Sequence, residues 1–279
     1  MSVTVPTRAA VAFSATLLAS SFAIEARAED TSAWQRDTHS AVRLVAGSRS
    51  GPVLLGGIAF HLQPGWKTYW RTPGDSGVPP RFDFSKSENV EAVTILWPAP
   101  LKFDDGAGGH SLGYRHHVVL PLRIVAKNAD KPVTLRADIQ YAVCEKLCIP
   151  VEARAELAFN SVASTEDSTL FAALDTVPKP ANVGDPNPLT IRDVKRDGTR
   201  RVVVDVVTPD TREVNLFVEG PTPDWLLPIP TPVNASPPGV RRFAFELEGL
   251  PPGASPDGAA LKLTLVGAER AYEFNVNLP

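Results

Sequence analysis

Period two dominates the middle of this chain. From residue 133 to 143, Val133, Leu135, Ala137, Ile139, Tyr141 and Val143 alternate with Thr134, Arg136, Asp138 and Gln140. From residue 149 to 159, Ile149, Val151, Ala153, Ala155, Leu157 and Phe159 alternate with Glu152, Arg154 and Glu156. Side chains two apart share a face of a strand, so each run predicts a half-buried β-strand with one apolar face. Cys144 and Cys148 carry the parity of the polar positions. Glu145, Lys146 and Leu147 then form a three-residue hairpin loop, and the two cysteines face each other across its mouth, on the side away from the core. Directly opposed strand residues have Cα atoms about 4.5–5.5 Å apart, at the short end of the disulfide range, so a bond there is feasible.

Other short apolar runs fall at residues 41–45, 53–62, 66–71, 90–97 and 118–125. Pro64-Gly65 and Pro73-Gly74-Asp75-Ser76-Gly77 separate them as turns. Short strands with frequent turn signals predict an all-β sandwich over residues 29–160. Ser164-Thr165-Glu166-Asp167 then marks a helix start, with Leu170, Phe171 and Leu174 on one face. Pro178, Pro180, Pro186 and Pro188 follow, so residues 161–188 read as a short helix and a proline-rich, irregular linker. Runs at 202–207, 214–218, 242–247, 261–266 and 272–276 predict a second small β-sandwich over 189–279, with residues 221–238 as a long loop.

The first residues differ in kind. Arg8 precedes a small, apolar stretch, and Ala26-Arg27-Ala28 fits the small-x-small cleavage rule. Residues 1–28 therefore predict a secretory signal peptide and a periplasmic mature chain with no transmembrane segment. Such a compartment permits disulfides. With 27 prolines and 43% hydrophobic residues in 279, the chain reads as folded and rich in turns. Its net charge of −3, without a basic cluster, gives no footprint for nucleic acid.

Cys144 and Cys148 are the only cysteines. They read either as an exchanging dithiol or as a structural staple in a non-catalytic periplasmic binding module. Closing a loop of about five residues stabilises by about 2 kcal/mol, against about 4.7 for 100 residues. A chain of this size has little need of so local a staple, which favours exchange. Lys146 favours a thiolate and Glu145 opposes it. A third reading is copper handling by the thiolates as soft ligands. His110, His116 and His117 suggest a metal site, but neighbours in one strand point to opposite faces, so His116 and His117 read as ordinary solvated side chains. No resident cofactor or metal is expected. Asp104-Asp105 before Gly106-Ala107-Gly108-Gly109 reads as the cap of a flexible loop, and a carboxylate there is placed to assist a thiol proton.

Gly65-Trp66-Lys67-Thr68-Tyr69-Trp70, Trp97-Pro98, Tyr114-Arg115, Leu120-Pro121 and the segment from Tyr141 through Cys144 and Cys148 to Pro150 resemble the N-terminal periplasmic domain of the DsbD thiol–disulfide interchange family. Members with longer N-terminal regions, related to the copper-sensitivity suppressor reductases, are the nearer likeness. The resemblance covers about residues 34–159 and is looser beyond. It implies an immunoglobulin-like domain that takes electrons from a membrane-embedded thiol reductase and reduces disulfide-bearing periplasmic proteins. It implies that Cys144 and Cys148 are the redox pair, with Cys148 forming the mixed disulfide. Tyr69 aligns with an aromatic beside the pair, and Asp105 with an acidic residue of a loop that caps it. Three departures stand out: closer cysteine spacing, glycines where relatives carry an aromatic shield, and no membrane or thioredoxin-like part, so a separate membrane partner is expected. Phe103, Tyr69 or Trp70 are the side chains available to cover the sulfurs instead.

Overall fold

The computed structural model describes residues 1–2, 29–49, 51–106, 108–208, 214–234 and 239–278. The expected signal peptide lies, apart from its first two residues, outside the described residues. Among the described residues the architecture is β apart from one helix.

The first unit contains β1 (Gln35–Arg36), β2 (Ser40–Ala46), β3 (Val53–Leu62), β4 (Lys67–Gly74), β5 (Arg81–Asp83), β6 (Val90–Ile95), β7 (Leu101–Asp104), β8 (His110–Arg115), β9 (His117–Ala126), β10 (Val133–Cys144) and β11 (Cys148–Phe159). One sheet has the order β1-β2-β3-β9-β6 and the other β11-β10-β4-β8-β7, with β5 on β10. The alternating apolar residues of β10 and β11 meet those of the facing sheet in one core that includes Val42, Ile58, Trp70, Leu122, Ile139 and Phe159. Period two thus becomes a sandwich, because each strand can hide only one face.

Helix α1 (Asp167–Asp175) lies on the outer face of the first sheet, where Leu170 packs with Val45 and Ala59. That cover explains why β2 is buried on both faces. The apolar face expected of this helix is corrected. Leu170 and Ala173 are buried, whereas Phe171 is exposed. Asp167 anchors the helix start by accepting from the Ser48 amide at 2.8 Å and from its hydroxyl.

The linker is also less irregular than its prolines suggest. Residues Lys179–Ala181 form β12, which pairs in parallel with the last strand. The second unit continues with β13 (Thr190–Asp197), β14 (Arg201–Val207), β15 (Asn215–Glu219), β16 (Thr231–Val233), β17 (Arg241–Glu246), β18 (Ala260–Val266) and β19 (Ala271–Asn277). Two four-stranded sheets, β12-β19-β18-β15 and β13-β14-β17-β16, enclose a separate core around Val204, Leu216, Phe243 and Leu263. The stretch 221–238, expected as one loop, contains β16, which pairs with β17 despite Pro232. At a sheet edge a proline sacrifices no ladder bond.

The two sandwiches touch through β4. Phe217 of β15 belongs to the first core and lies 6.1 Å from the Trp70 ring. Arg71 donates to Glu219 at 2.8 and 2.6 Å and to Glu273 at 2.6 Å, and the Thr72 hydroxyl adds a bond to Glu219 at 2.9 Å. Lys262 lies 3.2 Å from the other oxygen of Glu273.

Candidate functional site

The β10–β11 ladder runs in unbroken register from Val133 opposite Phe159 to Cys144 opposite Cys148. Unbroken alternation on both strands forbids a one-residue slip, which would turn the apolar faces outward, and the three-residue loop sets the remaining choice, so the ladder ends with the cysteines opposed. Their sulfurs are bonded, with Cα atoms 4.2 Å apart. Glu145, Lys146 and Leu147 form the exposed loop between them.

The two sulfurs are not equivalent, and here the expectation from parity is corrected. Both cysteines lie on the face opposite Tyr141 and Val143, yet Cys144 is only 2% exposed, whereas Cys148 is exposed. The cause is β4. Tyr69 crosses that outer face and packs with Ala142 and Cys144 in a small buried cluster apart from the main core. The Tyr69 hydroxyl donates to the Cys144 sulfur at 2.8 Å and lies 3.1 Å from that of Cys148. Burial pushes the Tyr69 phenol upward, so it keeps its proton. Trp70, one residue on, points the other way and is fully buried in the main core. It covers no sulfur.

Gly77 completes the cover. It has φ of 143°, and a Cβ there would lie 2.5 Å from the Tyr69 ring. The ring therefore needs a glycine at its back. Gly77→Ala should push Tyr69 off the sulfurs and speed reduction of the disulfide by dithiothreitol severalfold, measured by thiol release. An unchanged rate would show that the ring is not the barrier.

The flexible loop expected after Asp104-Asp105 lies between two paired strands. β7 and β8 form a hairpin, with Gly106, Gly108 and Gly109 between them and Gly113 inside β8. Asp105 closes that turn by accepting from the Gly109 amide at 2.9 Å. Phe103 is half-buried, and its ring centroid lies 5.2 Å from the Lys67 ammonium. Lys67 also donates to Ser111 at 2.8 Å and feels the charge of Asp105. Lys67 is the residue that sequence reading missed. It lies directly opposite Cys144 in the β4–β10 pairing, and no local pattern marks it.

The histidines do not converge. His116 sits between β8 and β9 with φ of 62°, so it and His117 are not successive strand residues as expected. His117 pairs across the sheet with His61, whose Nδ1 is 2.7 Å from its Nε2. His110 instead lies 3.2 Å from Asp104. Among the described residues no group of three or more His, Cys, Asp or Glu is arranged to hold a metal ion. Among them, too, no helix is long and apolar enough to cross a membrane.

Comparison with known proteins agrees with this geometry. The family model described as "Thiol:disulfide interchange protein DsbD, N-terminal" matches residues 41–160. Among solved structures, the N-terminal periplasmic domain of ScsB from Proteus mirabilis superposes with a TM-score of 0.72 at 21% identity, covering 89% of this chain and 98% of that one. That likeness extends over both sandwiches and bears on the fold. A conserved domain protein from Bacillus anthracis aligns at 10% identity over 84% of this chain and 75% of its own, with a TM-score of 0.22, too low to inform the fold. No curated protein matches the sequence. Residues 41–160, nearly all of the first sandwich and the whole cysteine hairpin, are thus similar to the N-terminal domain of the DsbD thiol:disulfide interchange family.

Proposed function

We propose that this protein is a periplasmic thiol–disulfide exchange protein that relays electrons between a membrane-embedded thiol reductase and disulfide-bearing periplasmic proteins. The observation that carries this reading is the asymmetry of the pair: an exposed Cys148 bonded to a buried Cys144, with a tyrosine hydroxyl touching both sulfurs. An exposed sulfur is open to a partner, and a buried neighbour is placed to resolve what forms.

In the reduced pair, the Cys148 thiolate attacks a partner disulfide. A Cys148–partner bond forms, the partner's own S–S bond breaks, and one partner sulfur leaves as a thiolate that takes a proton from water. Cys144 then loses its proton and attacks the Cys148 sulfur. The Cys144–Cys148 bond forms, and the second partner thiolate leaves. Two electrons have passed to the partner, and the membrane reductase returns two by the reverse exchange. Tyr69 donates a hydrogen bond to the developing thiolate, and Asp105 tunes the charge beside it. The family description, the leader-like first 28 residues and the likeness to a periplasmic domain support the assignment.

A redox titration tests it. Equilibrated in dithiothreitol buffers and quenched by alkylation, the pair should show a reduction potential above about −300 mV, in the range of exchanging disulfides. A value below that would make the bond a structural staple.

A further inference from the structure

β11 is the outer strand of its sheet, and Cys148 is its first residue. Among the described residues only β10 pairs with it, and no other hydrogen bond reaches its main chain between residues 148 and 156. An unpaired edge is a template for a further strand, and natural chains commonly guard it with charges or proline. Glu152, Arg154 and Glu156 guard the far part of this edge. The end beside the sulfur carries Leu147 and Ile149 instead, 78% and 36% exposed.

Two observations establish which main-chain groups project from the edge. Pro150 lies opposite Ala142 and has no N–H to give β10. The Ala142 carbonyl accepts from the Thr68 hydroxyl of β4 at 2.9 Å, so it points away from β11. These two residues therefore form a pair without mutual hydrogen bonds. Cys144 with Cys148 and Gln140 with Glu152 share that parity, and the 4.2 Å Cα separation of the cysteines suits the narrower kind of pair. The N–H groups of Cys148 and Glu152 and the carbonyls of Cys148, Pro150 and Glu152 thus face outward. A groove of about 670 Å³ lies there, lined by residues 150–154 of β11, residues 138–140 of β10 and residues 35–37 at the edge of the facing sheet. Five consecutive lining residues mean that β11 is open along its edge, not on one face alone.

We propose that this edge is the docking site for the disulfide-bearing partner, which adds one extended segment to β11 as a new outer strand. The proposal rests on the exchange function above and says how the partner is held. Strand addition gives affinity through main-chain bonds and is tolerant of sequence. It also aligns the chemistry. A partner cysteine opposite Cys148 has its Cβ about 4.5–5.5 Å away on the same face. The sulfurs of Cys144, Cys148 and the partner then lie in a row across three strands. β4 and Tyr69 close one side of the pair, and the free edge lies on the other. In the resolving step the Cys144 proton goes to water and the Cys144–Cys148 bond forms. The Cys148–partner bond breaks, and the partner sulfur leaves with the electron pair, along that row.

The test uses the full chain carrying Cys144→Ala, in which Cys148 is the sole thiol, and two synthetic peptides. Each holds its one cysteine as a mixed disulfide with thionitrobenzoate. One is rich in valine and threonine, and the other has prolines on both sides of the cysteine, which remove the N–H groups a ladder needs. Release of thionitrobenzoate gives each rate, divided by the rate of the same peptide with glutathione. The strand-forming peptide should react about tenfold faster or more, the effect of about two main-chain hydrogen bonds. Glu152→Pro removes an outward N–H, leaves the β10 ladder whole and should bring the ratio close to one. Glu152→Gln loses the charge, keeps the N–H and should retain the advantage. In the peptide adduct, amide hydrogen exchange should slow at Glu152 and stay unchanged at Val151 and Ala153, which already bond to β10; this pattern decides alone should Glu152→Pro not fold. Equal rates for the two peptides, or no slowing at Glu152, would overturn the proposal. So would a parent that sediments as a dimer and becomes monomeric on Glu152→Pro, which would give the edge to a second copy. The two readings fail separately. A peptide advantage in a protein whose disulfide potential lies below about −300 mV would retain the docking edge and remove the exchange function. Equal peptide rates at a higher potential would do the reverse.

Discussion

Replacing Cys144 with Ala will leave a Cys148 that accumulates mixed disulfides with periplasmic proteins at least about tenfold above those of the Cys148→Ala variant. The asymmetry follows from exposure: Cys144 is 2% exposed beneath Tyr69, whereas Cys148 opens to solvent at the start of β11. Exchange requires a sulfur that the partner can reach in line, and cover slows it whatever the thiol's acidity. With its resolving sulfur gone, Cys148 cannot expel the partner, so the adduct persists. Non-reducing gels of periplasmic extracts, followed by mass spectrometry of the adducts, make the measurement. Equal trapping by both variants would mean that Tyr69 moves away freely. The doubly substituted Cys144→Ala, Cys148→Ala protein should still fold, losing about 2 kcal/mol, because the bond closes so short a loop. Loss of the fold would mark the bond as a staple.

Arg71→Met will separate the two sandwiches energetically, lowering stability by about 2–3 kcal/mol. Breaking a fully buried ion pair costs about 3–5 kcal/mol because it strands the opposite charge. Here Glu219, at 14% side-chain exposure, would keep only the Thr72 hydroxyl and Glu273, at 23%, only Lys262, and these partners and solvent access reduce the penalty. The aliphatic part of Met retains contact with the Trp70 ring, which lies 4.6 Å from the Arg71 guanidinium carbon. Denaturant unfolding of parent and variant measures the loss, and a difference below about 0.5 kcal/mol would mean that Trp70 and Phe217 hold the units together without the charges.

The same pair sets a pH signature. Burial pushes the Glu273 carboxyl up, but the Arg71 hydrogen bond, the Arg71 charge and Lys262 together hold it below its ordinary value. A depressed carboxylate contributes stability that is present above its unfolded value of 4.5 and lost as pH falls through the folded value. The parent should therefore weaken below about pH 4.5, and this part of the slope should diminish in Arg71→Met.

The cysteine hairpin was legible in the chain because everything that specifies it is local. Two runs of period two, a three-residue gap and opposed cysteines determine a ladder whose register cannot slip by one residue without exposing Ile139 or Leu157. The all-β class was legible for the same reason. The hairpin of β7 and β8 was not: its strands are short, and the glycines at 106, 108 and 109 speak for a turn without revealing how close the strands come to it. β16 was hidden by Pro232, because only an edge position tolerates it, and edges exist only once a sheet is assembled.

What the chain by itself determined about this protein is where two sulfurs meet. What tertiary structure decided is how they differ. Parity places both cysteines on an outer face, and an outer face is exposed only if nothing crosses it. Tyr69, 75 residues before Cys144, crosses it and buries one sulfur. Lys67 comes opposite Cys144 only through the pairing of β4 with β10. Arg71, on the same strand, finds Glu219 and Glu273 at separations of 148 and 202 residues. Periodicity reports the burial that a strand makes with its own sheet, whereas contacts between distant strands depend on the order in which sheets assemble. That order leaves no local mark in the sequence.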